Sequence, residues 1–272
     1  MKNMMRTNAA LGLLLILAML LSSFMLMKPA DKPTFYLIGD STVKNGKGRG
    51  DGGLWGWGNY IAPYFDTTKI AVENDALGGT SSRTFQTMGL WDKVLVKIKP
   101  GDFVIMQFGH NDNGALDDTA RARGTIKGIG DEQQEIYNPI RKIKEVVHTY
   151  GWYMRKFVAD IKAKGATPII CSPIPRNTWK DGRSAGRNNE NNYGQWAREI
   201  SEQTGAFFID LNKLIADDYD QEGEAKVKST YFGMDATHTL EPGAQLNAKF
   251  VIQGIRSFNQ LRLNKFLKQQ VQ

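Results

Sequence analysis

Apolar residues come in short bursts along this chain, and small or polar residues close each burst. Phe35-Tyr36-Leu37-Ile38 is an unbroken apolar run that ends at Gly39-Asp40. A run that short, with no polar alternation, suits a strand buried on both faces. Lys69–Val72, Asp102–Phe108, Thr167–Cys171 and Ala206–Leu211 read the same way. Between these runs the period lengthens. Leu90, Val94, Leu95 and Ile98 share one helical face in Leu90–Lys99, which stops at Pro100-Gly101. Gly151–Lys164 and Asn191–Thr204 suit amphipathic helices closed by Gly165 and Gly205, and Pro242–Asn259 suits a final helix. Strands that alternate with helices imply crossover connections, a parallel sheet and helices on both of its faces. The pattern predicts one α/β domain with a five-stranded sheet.

Two stretches fall outside that alternation. Residues 113–150 are polar and carry Arg121, Arg123, Gly124, Gly128, Gly130 and several acids. A structureless segment of that length is usually functional or mobile. We expect it over the carboxyl edge of the sheet, beside the site, with irregular surface padding as the competing reading. At the amino end, Lys2 and Arg6 precede the apolar run Ala9–Leu21, then Ser22-Ser23 and Phe24–Met27. A basic segment before an apolar one is the pattern of a secretory signal. Ala9–Met27 is also long enough for an uncleaved membrane anchor. Residues 1–30 are therefore expected to be a signal peptide or an anchor, and 31–272 an exported domain, periplasmic or extracellular.

Composition adds little beyond this. The chain has 272 residues, 41% of them hydrophobic and 23% charged, enough for a sizeable core and too apolar for general disorder. The formal charge is +7, and residues 1–30 hold three of the bases, Lys2, Arg6 and Lys28, and no acid. The modest excess that remains suits an ordinary solvated surface or a polyanionic substrate. No arginine-rich arm, zinc spacing or helix-turn-helix pattern points to nucleic acid. The single cysteine, Cys171, lies in an apolar run, so no intramolecular disulfide is possible and the thiol reads as inert core.

The candidate chemistry begins at Ser41, just past the first strand, where open α/β sheets bind their ligands. A serine hydroxyl is a weak nucleophile unless a base and an oxyanion site assist it. Three histidines are available. His238 stands in Asp235-Ala236-Thr237-His238, where a turn would bring the carboxylate to the ring and fix its tautomer. His110 lies in Gly109-His110-Asn111-Asp112, directly after the third strand, and Asn111 has a side-chain N–H that suits an oxyanion. The same tetrapeptide would also serve as a plain Asn-Asp turn. His148 has no acid nearby in sequence and reads as structural. After the second strand, Gly78-Gly79 permits close backbone approach, which makes the Gly79 N–H a second oxyanion donor or the pair a simple strand-to-helix turn. The lysine and glycine spacing of a phosphate loop are missing.

Taken together, these blocks resemble the SGNH hydrolases, the GDSL esterase superfamily. Gly39-Asp40-Ser41-Thr42, Gly79, Gly109-His110-Asn111-Asp112 and Asp235-Ala236-Thr237-His238 match its four motifs in order, and the likeness runs from Phe35 to Phe258. Thr42, in place of leucine, and Gly78–Arg83 are similar to the rhamnogalacturonan acetylesterase branch, although Thr80 stands where arginine is more usual. The resemblance implies a three-layer α/β/α sandwich of flavodoxin-like type with a five-stranded parallel sheet. It implies Ser41 as nucleophile, His238 as base and Asp235 as its orienting acid. Ser41 N–H, Gly79 N–H and the Asn111 side chain would form the oxyanion hole. No metal or cofactor is implied. The implied substrate is an acetylated plant cell-wall polysaccharide or oligosaccharide, rhamnogalacturonan foremost. Lipid or thioester hydrolysis is one alternative, and a non-catalytic exported polysaccharide-binding protein another. No nucleic-acid partner is expected, and a membrane only through an uncleaved amino-terminal segment. For sugar contacts the candidates are Trp179, Arg83 and Arg176, with Arg183 and Arg187 beside them, since guanidinium groups suit uronate carboxylates. One of Trp55 and Trp57 is expected in the core.

Overall fold

A computed structural model describes residues 32–188 and 192–269. The expected signal or anchor in residues 1–30 lies outside them. Among the described residues, no helix is long and apolar enough to cross a membrane.

The strand predicted first lies inside the sheet. β1 (Thr34–Gly39) has residues buried on both faces, and alternate side chains feed two separate cores. Phe35 and Leu37 point to one side with Phe103, Ile105, Ile169 and Ile209; Tyr36 and Ile38 point to the other with Val104, Met106 and Ile170. That period of two, apolar on both faces, is why the run shows no polar alternation. Two short strands follow in different roles. β2 (Leu54–Trp55) lies outside the main sheet, whereas β3 (Ala71–Asn74) pairs with β1. On the other side of β1 come β4 (Phe103–Gln107), β7 (Thr167–Cys171) and β10 (Phe207–Ile209), giving the parallel order β10-β7-β4-β1-β3. The chain thus steps from β1 to one neighbour, then returns past it to build the other half. The carboxyl ends of β1 and β4 flank this switch point, where such sheets open a crevice.

Four helices cover one face: α1 (Ser82–Thr87), α2 (Leu90–Leu95), α3 (Tyr150–Ala163) and α4 (Tyr193–Thr204). Their core centres on Phe157, whose ring meets those of Phe85, Trp91 and Phe108 at 6.3, 5.0 and 5.5 Å. The other face is covered by α5 (Leu211–Glu222), α6 (Glu224–Tyr231) and α7 (Glu241–Arg256). Local chemistry sets the boundaries. Thr149 caps α3, Asn192 caps α4 and Asp210 caps α5, each accepting a backbone N–H with its side chain. The Asn191 start expected for α4 falls outside the described residues. Cys171 is fully buried in β7, and burial pushes its thiol pKa up.

The segment 113–150 is a correction to the sequence reading. It contains an antiparallel hairpin of β5 (Gln133–Asn138) and β6 (Ile143–His148). Its inward side chains are Ile136, Asn138, Glu145 and Val147. Two of those four are polar, and Glu145 is buried only because Arg83 of α1 meets it at 2.8 Å. The alternation is therefore disguised in sequence by an ion pair. Two smaller ladders complete the fold. β8 (Trp179–Lys180) pairs with β9 (Arg183–Ser184), and β11 (Thr239–Leu240) pairs with β2.

Candidate active site

Gly39 ends β1 where no side chain would fit. A Cβ there would lie 2.5 Å from Val43 Cγ2 and 2.6 Å from the Gln107 carbonyl oxygen. The chain then turns tightly, with the Val43 and Lys44 N–H groups both donating to the Asp40 carbonyl at 3.1 Å. The buried Asp40 carboxylate holds the turn from beneath, accepting the Thr42 N–H at 2.8 Å and the Thr42 hydroxyl at 2.7 Å. Gln107, at the end of β4, donates to that hydroxyl and accepts the indole N–H of the fully buried Trp57 at 3.0 Å. Trp57 is thus the core tryptophan of the pair. This buried chain fixes Ser41 with its hydroxyl facing the cleft.

His238 arrives from the far end of the sequence. β11, which begins directly after it, is laid along β2, and the Thr239 hydroxyl donates to the Trp55 carbonyl at 3.1 Å. His238 Nε2 lies 2.8 Å from Ser41 Oγ. Its Nδ1 meets Asp235 Oδ2. The other Asp235 oxygen accepts the backbone N–H of His238 at 3.0 Å and that of Thr237. Partial burial works to raise the Asp235 pKa, but the His238 ring and these two N–H groups outweigh it and hold the carboxyl below its ordinary value. An ionised acid on Nδ1 fixes the tautomer that leaves Nε2 free to accept the serine proton.

The predicted oxyanion donors line the same cleft, which has a volume of about 620 Å³. Among the described residues, neither the Ser41 nor the Gly79 N–H has a hydrogen-bond acceptor. Gly79 has φ +83°, a left-handed conformation that suits glycine. One N–H of the Asn111 amide donates to the Thr80 carbonyl at 2.8 Å, which anchors the side chain and leaves its second N–H unused among the described residues. His110 also borders the cleft, but its Nε2 is buried and without a partner among the described residues. Burial foremost pushes its pKa down, so it is a neutral wall residue. His148 stacks on Trp152 with ring centroids 3.9 Å apart, in keeping with a structural place.

Two of the expected sugar contacts are corrected. Arg83 has no exposed surface; it pairs with Glu145 and donates to the carbonyls of Leu116 and Gly124. A side chain with no exposed surface cannot meet a polysaccharide. Trp179 is half-buried against the core, donates its indole N–H to Asn177 at 2.8 Å and does not line the cleft. Of the neighbours considered, Arg187 is held by Asp217 and Asp220. Arg176 does border the cleft, as expected. It also borders an adjoining hollow of about 390 Å³ that, among the described residues, shares only His110 and Arg176 with the serine cleft. Arg121 and Arg123 also border the cleft, which puts this part of the 113–150 segment beside the site as expected; neither is singled out as a substrate contact, because the sequence marks them only as members of that polar segment.

Residues 37–245 match the GDSL-like lipase/acylhydrolase family. The chain is 30% identical over 236 residues to a rhamnogalacturonan acetylesterase of Emericella nidulans, covering 86% of this chain and 89% of that protein. Its fold is similar to the crystal structure of the YxiM protein of Bacillus subtilis, with a TM-score of 0.64 and 26% identity over 85% of this chain and 58% of that one. It is similar in fold to Axe2, an acetylxylan esterase of Geobacillus stearothermophilus, with a TM-score of 0.57 and 18% identity over 84% of this chain and 96% of that one. With its serine beyond β1, a five-stranded parallel sheet and this match in sequence, the chain belongs to the GDSL-like lipase/acylhydrolase family, the SGNH hydrolases, and to their rhamnogalacturonan acetylesterase-like branch.

Proposed function

We propose that this protein is an exported serine esterase that removes O-acetyl groups from a plant cell-wall polysaccharide, acetylated rhamnogalacturonan or a related pectin foremost. The observation that carries the reading is the 2.8 Å contact between His238 Nε2 and Ser41 Oγ, with Asp235 on the opposite ring nitrogen. In the reaction, Ser41 Oγ attacks the acetyl carbonyl carbon as His238 takes its proton. The charge that builds on the carbonyl oxygen is met by the Ser41 and Gly79 N–H groups and the free Asn111 N–H. The C–O bond to the sugar then breaks, and His238 protonates the departing hydroxyl. Water repeats the sequence on the acetyl-serine, releasing acetate and restoring the serine.

Such donors are worth most where charge appears only in the transition state. The polar lining, with arginine, asparagine and threonine side chains, favours a short acyl group on a sugar over a long lipid chain. Export is proposed on the basic and apolar order of residues 1–30. The test is acetate release from acetylated rhamnogalacturonan, homogalacturonan, xylan and mannan, by the parent and by Ser41→Ala. The reading requires release from a pectic polymer by the parent alone. Faster turnover of an eight-carbon acyl ester than of any acetylated polymer would favour the lipid alternative.

A further inference from the structure

We infer that the serine cleft contains a carboxylate-binding wall, made by Arg121 and Arg123 of the segment after β4 together with Arg176 of the loop after β7. It would hold an acidic group on the same sugar chain whose ester faces Ser41. This rests on the esterase reading and adds to it the residues that select an acidic sugar over a neutral one.

All three arginines border the cleft that holds Ser41 and His238. Among the described residues, none of them has a carboxylate within ion-pair distance. Arg49, Arg183, Arg256 and Arg262 share that lack among the described residues, so what sets these three apart is their place at the serine cleft. Arg83, Arg141, Arg155, Arg187 and Arg198 each face a carboxylate. Asp118, the acid nearest in sequence, uses its oxygens to accept the backbone N–H groups of Ala120 and Arg121 at 3.1 Å, which shapes the turn without capping a guanidinium. Asp40, Asp112 and Asp118 act on Arg123 only through longer-range attraction. Burial and then the like charge of Arg121 lower the Arg123 pKa, so the pair is held together against repulsion. An incoming carboxylate relieves that repulsion, and its two oxygens match a guanidinium edge.

Two of the three arginines, Arg123 and Arg176, are held in place before binding. Arg123 Nη1 donates to the Gly79 carbonyl at 2.9 Å, which fixes the guanidinium beside the oxyanion donors. Arg176 donates to the Thr237 hydroxyl at 2.5 Å and reaches the His110 carbonyl at 3.5 Å, beside His238. Ala122, buried between the first two arginines, holds a left-handed φ of 44°, a conformation that alanine adopts at a cost and that clusters at functional sites. Gly124 is pinned from behind, since Arg83 donates to its carbonyl and a Cβ there would lie 1.9 Å from the Gly114 oxygen. Side chains held in place before binding lose little freedom when the ligand arrives.

The experiment compares one acetylated oligouronide as the free acid with the same molecule as its methyl ester, so that only the carboxylate charge differs. The parent should favour the free acid in kcat/KM by roughly tenfold or more, and added salt should erode that preference. Arg121 is exposed, so Arg121→Gln tests the wall without disturbing packing. The preference should fall to within roughly threefold in that variant, and further in Arg121→Gln/Arg123→Gln, where Arg176 alone is left to face the carboxylate. Equal turnover of the two forms by the parent would overturn the carboxylate wall and leave the esterase reading intact. So would an unchanged preference in the double variant. A parent that releases acetate from neither form, nor from p-nitrophenyl acetate, would overturn the esterase reading itself.

Discussion

Arg83→Met separates the two places proposed for this side chain. If Arg83 holds the molecule together, its loss is felt in stability; if it reads substrate, in KM. Three hydrogen bonds disappear with the guanidinium: Nε to Glu145 at 2.8 Å, and Nη1 to the carbonyls of Leu116 at 2.9 Å and Gly124 at 2.8 Å. Glu145, whose side chain is 6% exposed, keeps the Asn138 amide at 2.6 Å and Arg141 at 3.6 Å. Breaking a buried ion pair from one side costs about 3–5 kcal/mol. The surviving partners put this case near the lower end, about 3 kcal/mol. Burial works to raise the Glu145 pKa, but Arg83 and Asn138 hold it below its ordinary value. The pair therefore adds stability above the unfolded pKa of about 4.3, and loses it as pH falls through the lower folded value. Urea unfolding at pH 7 should show the full loss, and the gap between parent and variant should narrow below about pH 4. Arg83→Met/Glu145→Leu should recover much of it, because no lone charge then stays buried. A variant as stable as the parent but with a raised KM would refute this reasoning and return Arg83 to the substrate.

Three further outcomes are expected. Asn111→Ala should lower kcat for p-nitrophenyl acetate by about 10²–10³ with little change in KM; a parent-like kcat would remove Asn111 from the oxyanion site. Burial pushes the Asp112 pKa up to about 7, so the folded state holds a proton that the unfolded state releases between about pH 4 and 7, and stability falls as pH rises through that window. Asp112→Asn, which keeps an acceptor for Ser82, should flatten that fall in thermal unfolding run from pH 5 to 8; an unaltered profile would contradict it. Phe157→Ala should cost about 3–5 kcal/mol in urea unfolding, because Phe157 is fully buried among three other rings.

Much of the layout is legible in the sequence. β1, β4 and β7 are apolar on both faces, so each shows as an unbroken run, and Gly165 and Gly205 mark helix ends with φ of 71° and 64°. Ser41, Gly79 and Asn111 stand at strand ends, where a short polar break after an apolar run exposes them. The hydrophobic pattern does not mark α1, α5 or α6. α1 is six residues long, too short for its period to register, and α6 buries only Val227 and Tyr231. The hairpin and Arg83 were hidden for one shared reason. A charged side chain reads as exposed until its partner is known, and here the partner lies 62 positions further on. Arg121 and Arg123 sit in the same segment, whose place beside the site the sequence suggests, but which of its side chains face the serine emerges only on folding.

The central claim is that His238 turns Ser41 into a nucleophile. A fluorophosphonate, which bonds covalently to an activated serine, tests it by intact-protein and peptide mass spectrometry. The account predicts one equivalent of label on the peptide holding Ser41, and little or none in His238→Ala under the same conditions. Labelling at another residue, or equal labelling of Ser41 in His238→Ala, would contradict it.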